Sequence, residues 1–417
     1  MKKSLLFLPL LMLLALFANA QNLSFDGPKI ISYTLWKTVP SEELKAEMKK
    51  NKVPKALVNV KYTVDIYDVV YKTCWHDGTC IKASGLYFVP RGVDKPMPTT
   101  VYHHGTRVHA GRDKDLGGED YLCLGLAVEG YTVLQPDYVG LGHGDKFHLY
   151  QLAKPLGQTS VDMLYAIREL NDTLGVKVSD KLFLTGYSEG GYATLATNKL
   201  IQEQYSKDFK VTAASGMSGA YDMGGVQSTV MFKPYDHPHY LPYLLRAVNE
   251  VYKIVPYDIN NIYKAPYDTI IPKMFDGKHS LHAINEALPK IPKDMIIDSI
   301  INVYVKDTTF PLHSVLRENS LCYWKPENPV QLCFCDKDEQ VTYKNAFVAR
   351  DEMKKLGAEH VTLRRGGKKY GHYKCAIFSG MYTKLYFDSF LKGSKYGRKG
   401  NVNKRFLLSL AKLAIKP

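Results

Sequence analysis

From residue 57 to 89 apolar and polar side chains alternate with a period of two, broken at His76-Asp77-Gly78, which is the pattern of two antiparallel strands joined by a tight turn. Beyond residue 98 the pattern changes. Short apolar runs at 99–102, 132–135, 182–185, 211–215, 330–335 and 360–363 are separated by stretches of helical periodicity, among them 160–174, 192–205 and 343–356. Strands alternating with helices predict an α/β fold with a mostly parallel, doubly wound sheet covered by helices on both faces. Between 221 and 320 the alternation stops, and the chain becomes helical in pattern and rich in tyrosine (Tyr235, Tyr240, Tyr243, Tyr252, Tyr257, Tyr263, Tyr267) and proline. Because core strands precede and follow it, this segment is expected to be a helical cap inserted into a core made of 21–220 and 321–417. No internal repeat or low-complexity tract interrupts this layout.

Composition fits a folded chain: of 417 residues, 45% are hydrophobic and 23% charged, which excludes disordered and collagen-like readings. Residues 1–20 carry Lys2 and Lys3, an apolar run from Leu5 to Phe17, and Ala18-Asn19-Ala20. That is the layout of a secretory signal peptide cleaved before Gln21, and the run is shorter than the ~20 residues a spanning helix needs. No later window is long and apolar enough to span, so the mature chain is expected in the periplasm or outside the cell. Its charge, +14 less the two leader lysines, is +12. The positive residues gather in Arg364, Arg365, Lys368, Lys369 and Lys374 and in the tail from Lys392 to Pro417, whose part 406–415 has a short amphipathic pattern. This distribution suggests anionic substrates or envelope surfaces, with no nucleic-acid module in evidence.

Export makes the seven cysteines possible bridge partners. A loop His76-Asp77-Gly78 with a left-handed Gly78 puts Cys74 directly opposite Cys80 in a non-hydrogen-bonded pair, so a Cys74–Cys80 bridge is expected. Cys322, Cys333, Cys335 and Cys375 fall near one another in this architecture, Cys123 falls in a helical pattern, and the odd count leaves at least one thiol free.

The candidate chemistry centres on Gly186-Tyr187-Ser188-Glu189-Gly190, a G-x-S-x-G string between an apolar strand and a helical run. That context is the strand-turn-helix elbow which lifts a serine hydroxyl off a sheet edge, with glycines where strand and helix cross. A serine needs a base, and the base an orienting acid. The strand 330–335 is followed by two carboxylates, Asp336 and Asp338, with Asp338 favoured; the strand 360–363 is followed by His372, just before a new helix. Oxyanion donors are expected from the Glu189 amide and from the loop His103-His104-Gly105-Thr106, where Gly105 permits close approach and the Thr106 amide is the favoured donor. Neither His103, His104 and His109 nor His237 and His239 has a carboxylate completing a ligand set at familiar spacing, so no metal or other cofactor is expected.

With these residues in place the chain resembles the α/β-hydrolase superfamily, and within it the secreted lipase and esterase branch that carries a helical cap. The similarity runs from about 99 to 390. It rests on His104-Gly105, Asp137-Tyr138-Val139-Gly140-Leu141-Gly142, Gly186-Tyr187-Ser188-Glu189-Gly190-Gly191, Asp338 three before Val341, and Gly371-His372. The resemblance implies Ser188 as nucleophile, His372 as general base and Asp338 as acid; one departure is Cys335, where the family commonly has Gly. The implied activity is cleavage of carboxylic esters, with a small-molecule ester or lipid as substrate. A compact exopeptidase of the prolyl-oligopeptidase type is the first alternative, and a non-catalytic secreted binding protein the second.

Overall fold

The computed structural model describes residues 29–50, 58–112, 114–397 and 408. The expected leader, 1–20, and nearly all of the expected tail helix, 406–415, lie outside them. Nine strands form one sheet: β1 (Ile30–Val39), β2 (Val64–Cys74), β3 (Cys80–Pro90), β4 (Met97–His103), β5 (Thr132–Pro136), β6 (Val178–Tyr187), β7 (Val211–Met217), β8 (Val330–Cys335) and β9 (Val361–Gly367). Their spatial order is β1-β2-β3-β5-β4-β6-β7-β8-β9. The first four in that order pair antiparallel, and from β5 to β9 every pairing is parallel. The sheet is thus mixed; the α/β alternation predicts its parallel part and the period-two hairpin predicts the antiparallel β2–β3 pair.

Strand pleating sends neighbouring residues to opposite faces, and the two buried clusters divide accordingly. Val101, Leu134 and Leu184 join one cluster, which is covered by α3 (Ala153–Leu174) and α4 (Glu189–Gln204). Tyr102, Val133 and Phe183 join the other, covered by α2 (Asp120–Ala127) and α11 (His372–Leu391). The left-handed Gly175 (φ 66°) ends α3, its N–H returning to the Asn171 carbonyl. A short helix, α1 (Ser41–Lys50), follows β1.

Between β7 and β8, residues 223–318 add no strand to the sheet. They form α5 (Tyr240–Tyr252), α6 (Tyr267–Met274), α7 (Leu281–Glu286), α8 (Asp298–Lys306) and α9 (Pro311–Glu318), with one isolated bridge between Tyr263 and Ile296. Helix α5 buries Pro242, Tyr243, Leu245, Ala247 and Val248. The remaining helix, α10 (Lys344–Lys355), joins β8 to β9.

The turn after β2 forms as its residues dictate. Gly78 has φ 90°, its N–H bonds the Trp75 carbonyl, and Trp75 N–H bonds Thr79. Cys74 is therefore opposite Cys80, yet both remain thiols. The expected bridge is corrected: register supplies only the spacing of the backbones, while a bond also needs the two sulfurs to meet. Cys74 is half-buried, its thiol pushed up to about 11 by burial and by Asp162, and Cys80 is exposed. The bond that does form joins Cys335 at the end of β8 to Cys375 in α11.

Tyrosine also fills much of the core outside the segment 223–318. Of the largest fully buried side chains, Tyr71, Tyr87, Tyr102, Tyr131, Tyr138 and Tyr192 belong to the strands and their flanking helices and loops. Their hydroxyls find internal acceptors: Tyr71 on Thr159 O, Tyr87 on Asn171, Tyr138 on His104 O and Tyr192 on Asn319 O. Each ring therefore adds roughly 2 kcal/mol of apolar burial without an unpaired hydroxyl.

Candidate active site

Strand β6 runs into Ser188, which sits at φ 60°, ψ −120° with its N–H bonded to Met217 O, and α4 starts at the next residue. A side chain at a non-glycine φ of this sign is strained, and the surroundings hold it there. A Cβ at Gly190 would lie 1.8 Å from the His103 carbonyl oxygen, and one at Gly186 would lie 2.4 Å from the same atom. Both contacts are with backbone that cannot move aside, so the elbow tolerates only glycine at these two positions.

The loop after β8 turns Asp338 inward. Its Oδ1 accepts the Gln340 and Val341 amides at 3.1 and 2.9 Å, which fixes the carboxylate, and also faces His372 Nδ1 at 2.8 Å, with Oδ2 at 3.0 Å. Asp336, only two residues away, points outward and pairs with Arg365 at 3.0 Å. The chain turns at residues 336 and 337, so the two carboxylates leave the strand in different surroundings, and only Asp338 meets the imidazole. His372 opens α11. Glu339 Oε2 accepts its N–H at 3.0 Å, the Tyr187 hydroxyl donates to its carbonyl, and the Cys335–Cys375 bond ties the first turn of α11 to the end of β8. Cys335, the departure from the usual glycine, thus has a covalent role in this chain. With Nδ1 held by Asp338, the other ring nitrogen, Nε2, has no protein partner among the described residues.

Ser188 and His372 line one cavity of about 840 Å³, together with Gly105, Thr106, Glu119 and Tyr187. A narrower cavity of about 80 Å³ also reaches Ser188 and is walled by Tyr150, Met231, Leu241, Leu245 and Leu312. Tyr235 and Tyr240 line the narrower one, whereas Tyr257 is exposed and Tyr243 gives its hydroxyl to Arg107 O. The amides of Thr106 and Glu189 have no protein acceptor among the described residues. The Gly105 amide does: it donates to Glu119 Oε1 at 2.9 Å. The Gly105 N–H is thus committed to a carboxylate.

Several partners of this site carry no sequence signal. The Glu189 side chain is buried and accepts from His148 Nε2 at 2.6 Å, so an acid placed for its backbone also has a buried carboxylate to satisfy. His148 in turn stacks on Tyr138. Tyr138 takes φ 70° inside the Asp137 to Gly142 loop, whose Asp137 accepts from Ser84 at 2.7 Å and pairs with Arg112. The histidines weighed as metal ligands have other surroundings. His103 lies within hydrogen-bond distance of Thr185 O and the Ser160 and Thr197 hydroxyls, and burial lowers it to about 4. His104 contacts Gly105 O and Asp137 O, His109 is exposed beside Gly111 O, and His239 meets Asn285 and is lowered by burial to about 3. His237 is half-buried and packs on Tyr235 and Tyr240. Among the described residues no group of three or more His, Cys, Asp or Glu side chains is arranged to hold a metal ion.

The sequence profile of the secretory lipase family matches residues 115–382. The chain belongs to the secretory lipase family. This member is therefore a carboxylic ester hydrolase, which takes the place of the exopeptidase and non-catalytic alternatives. Solved structures agree on the architecture. A candidate hydrolase from Legionella pneumophila superposes with TM-score 0.79 at 27% identity, covering 90% of this chain and 100% of that one. LipA of Xanthomonas oryzae, a rice cell wall degrading esterase, gives TM-score 0.77 at 23% identity over 88% of this chain and 98% of its own. Candida antarctica lipase A in its closed state gives 0.64 at 15% identity over 90% and 83%. The fold of this family member is thus the α/β-hydrolase fold. No helix among its described residues is long and apolar enough to cross a membrane.

Proposed function

We propose that this chain is a secreted serine esterase or lipase working through Ser188, His372 and Asp338 by an acyl-enzyme intermediate. The observation that carries the reading is the short contact between Asp338 and Nδ1 of His372, whose ring lines the same cavity as Ser188. With Nδ1–H held by the carboxylate, Nε2 is the nitrogen left to take a proton. Ser188 Oγ gives its proton to Nε2 as it bonds to the ester carbonyl carbon; the oxyanion that forms is met by the Thr106 and Glu189 amides. As the tetrahedral species collapses, the carbon–oxygen bond to the alcohol breaks and the alcohol leaves with that proton. A water then passes a proton to Nε2, attacks the acyl carbon and releases the acid and free Ser188.

Asp338, and not Asp336, is the acid in this scheme. The helical segment 221–320 acts as a cap over the narrower cavity, and residues 1–20 direct export and are removed. The basic residues from 364 to 374 favour anionic substrates or an envelope surface. The test is Ser188→Ala: hydrolysis of a short-chain p-nitrophenyl ester by the purified protein should fall to background, and labelling by a fluorophosphonate probe should vanish. Hydrolysis unchanged by Ser188→Ala sinks the mechanism.

A further inference from the structure

Resting on that reading of the site, we infer that Glu119 is a positioning residue for the oxyanion loop. It touches neither Ser188 nor the expected oxyanion amides; it acts through Gly105. Glu119 stands at the start of α2, on a loop that follows Gly117 and Gly118. Its two oxygens are spent on two points at the end of β4: Oε1 accepts the Gly105 amide at 2.9 Å, and Oε2 accepts the Tyr102 hydroxyl at 2.7 Å. Tyr102 is buried within the sheet, so the carboxylate is braced from the core on one side and holds the loop on the other. It also lines the cavity that contains Ser188 and His372, which is an unusual place for a carboxylate that does no chemistry.

The geometry explains why it is there. The chain must leave β4 so that the peptide after Gly105 presents its N–H, that of Thr106, to the space above Ser188. Gly105 has no side chain to anchor it, and a Cβ there would sit 3.5 Å from the Ser188 Cβ and 2.9 Å from Glu119 Oε1. The residue that must approach the nucleophile therefore cannot fix its own orientation. A carboxylate accepting the Gly105 N–H fixes the direction of that amide, and the next amide in the chain is left free of protein acceptors among the described residues. An orphaned buried N–H at Gly105 would otherwise be destabilising and would favour rotation of the loop to find another acceptor. Burial pushes the Glu119 carboxyl above its ordinary range, offset by the Tyr102 and Gly105 hydrogen bonds. Charge is not what the role needs, because a neutral amide oxygen can accept the same N–H.

The test compares Glu119→Ala, Glu119→Gln and Tyr102→Phe with wild type and Ser188→Ala on a short-chain p-nitrophenyl ester, with thermal unfolding measured in parallel. Loss of one aligned oxyanion donor lowers kcat by roughly 10²-fold. Glu119→Ala should therefore lose about that factor in kcat with KM within about twofold, and Glu119→Gln should restore kcat to within about threefold of wild type. Tyr102→Phe, which keeps the Oε1 contact and removes the brace, should fall between the two. The inference is overturned if Glu119→Gln is as slow as Glu119→Ala, if Glu119→Ala raises KM at unchanged kcat, or if its kcat is unchanged. Should Glu119→Ala fail to fold, the Gln and Phe variants decide: a Gln variant slowed by 10²-fold overturns it. Activity surviving in Ser188→Ala would instead indict the proposed mechanism, and leaves a signature separate from every Glu119 outcome.

Discussion

Asp338→Asn is the substitution that asks most of the proposed site. The asparagine keeps the size and an oxygen for the Gln340 and Val341 amides, so the loop has no reason to move. What disappears is the negative charge facing His372 Nδ1 at 2.8 Å and the fixed choice of which imidazole nitrogen carries the proton. Taking the charge centres as roughly 4 Å apart, the attraction between a carboxylate and the imidazolium formed during the reaction is about 4 kcal/mol at an effective dielectric of about 20. At 1.36 kcal/mol per factor of ten, that is about 10³-fold in kcat. KM should change little, because the carboxylate is shielded from substrate by the imidazole. Asp336→Asn is the control: its partner Arg365 lies on the surface, the two side chains being 29% and 47% exposed, and such pairs contribute under about 1 kcal/mol. Its kcat should stay within about twofold of wild type. Initial rates on a chromogenic ester, with unfolding midpoints to show that both variants fold, read the outcome. An Asp338→Asn enzyme retaining a tenth of wild-type kcat, or an Asp336→Asn enzyme falling alongside it, refutes the reasoning.

Two further expectations concern stability. Burial holds His103 at about 4, below its unfolded value near 6.5, so the unfolded chain binds a proton that the folded chain refuses. That contribution is fully present above pH 6.5 and is lost as pH falls towards 4, amounting to about 2 kcal/mol already at pH 5. His104 and His239 are lowered in the same direction, so urea midpoints should drop clearly between pH 7 and pH 5, and a flat profile would contradict the burial argument. The Cys335–Cys375 bond closes a sequence separation of 40 residues, for which loop entropy gives roughly 4 kcal/mol. Cys335→Ser with Cys375→Ser should lose about that stability, and a reductant should weaken wild type and leave the double variant unaffected. Equal midpoints in wild type and variant would show that the bond does not form.

How much was legible can be read from particular elements. Strand β8 was bounded correctly by its apolar run alone, and β4 to β7 were found with ends displaced by up to four residues, because buried parallel strands are continuous hydrophobic segments. Strand β1 was missed: it lies at the sheet edge with Ile31, Tyr33 and Leu35 exposed, so its side chains carry no inward and outward contrast. The elbow around Ser188 was readable since strand, glycines and helix are contiguous. Glu119, His148 and Glu339 were not, because their roles depend on contacts across 14, 41 and 33 residues and leave no local pattern.

The sequence by itself determined the layered α/β design, the glycine-framed serine, and the chain order of serine, acid and histidine, all of which follow from periodicity and local turn chemistry. Only the tertiary structure decided which of two carboxylates faces His372, which cysteines bond, and which amides stay free beside Ser188. Those outcomes depend on where side chains point after distant segments pack, and the turn after β8 is enough to aim Asp338 at the imidazole and Asp336, two positions earlier, at Arg365.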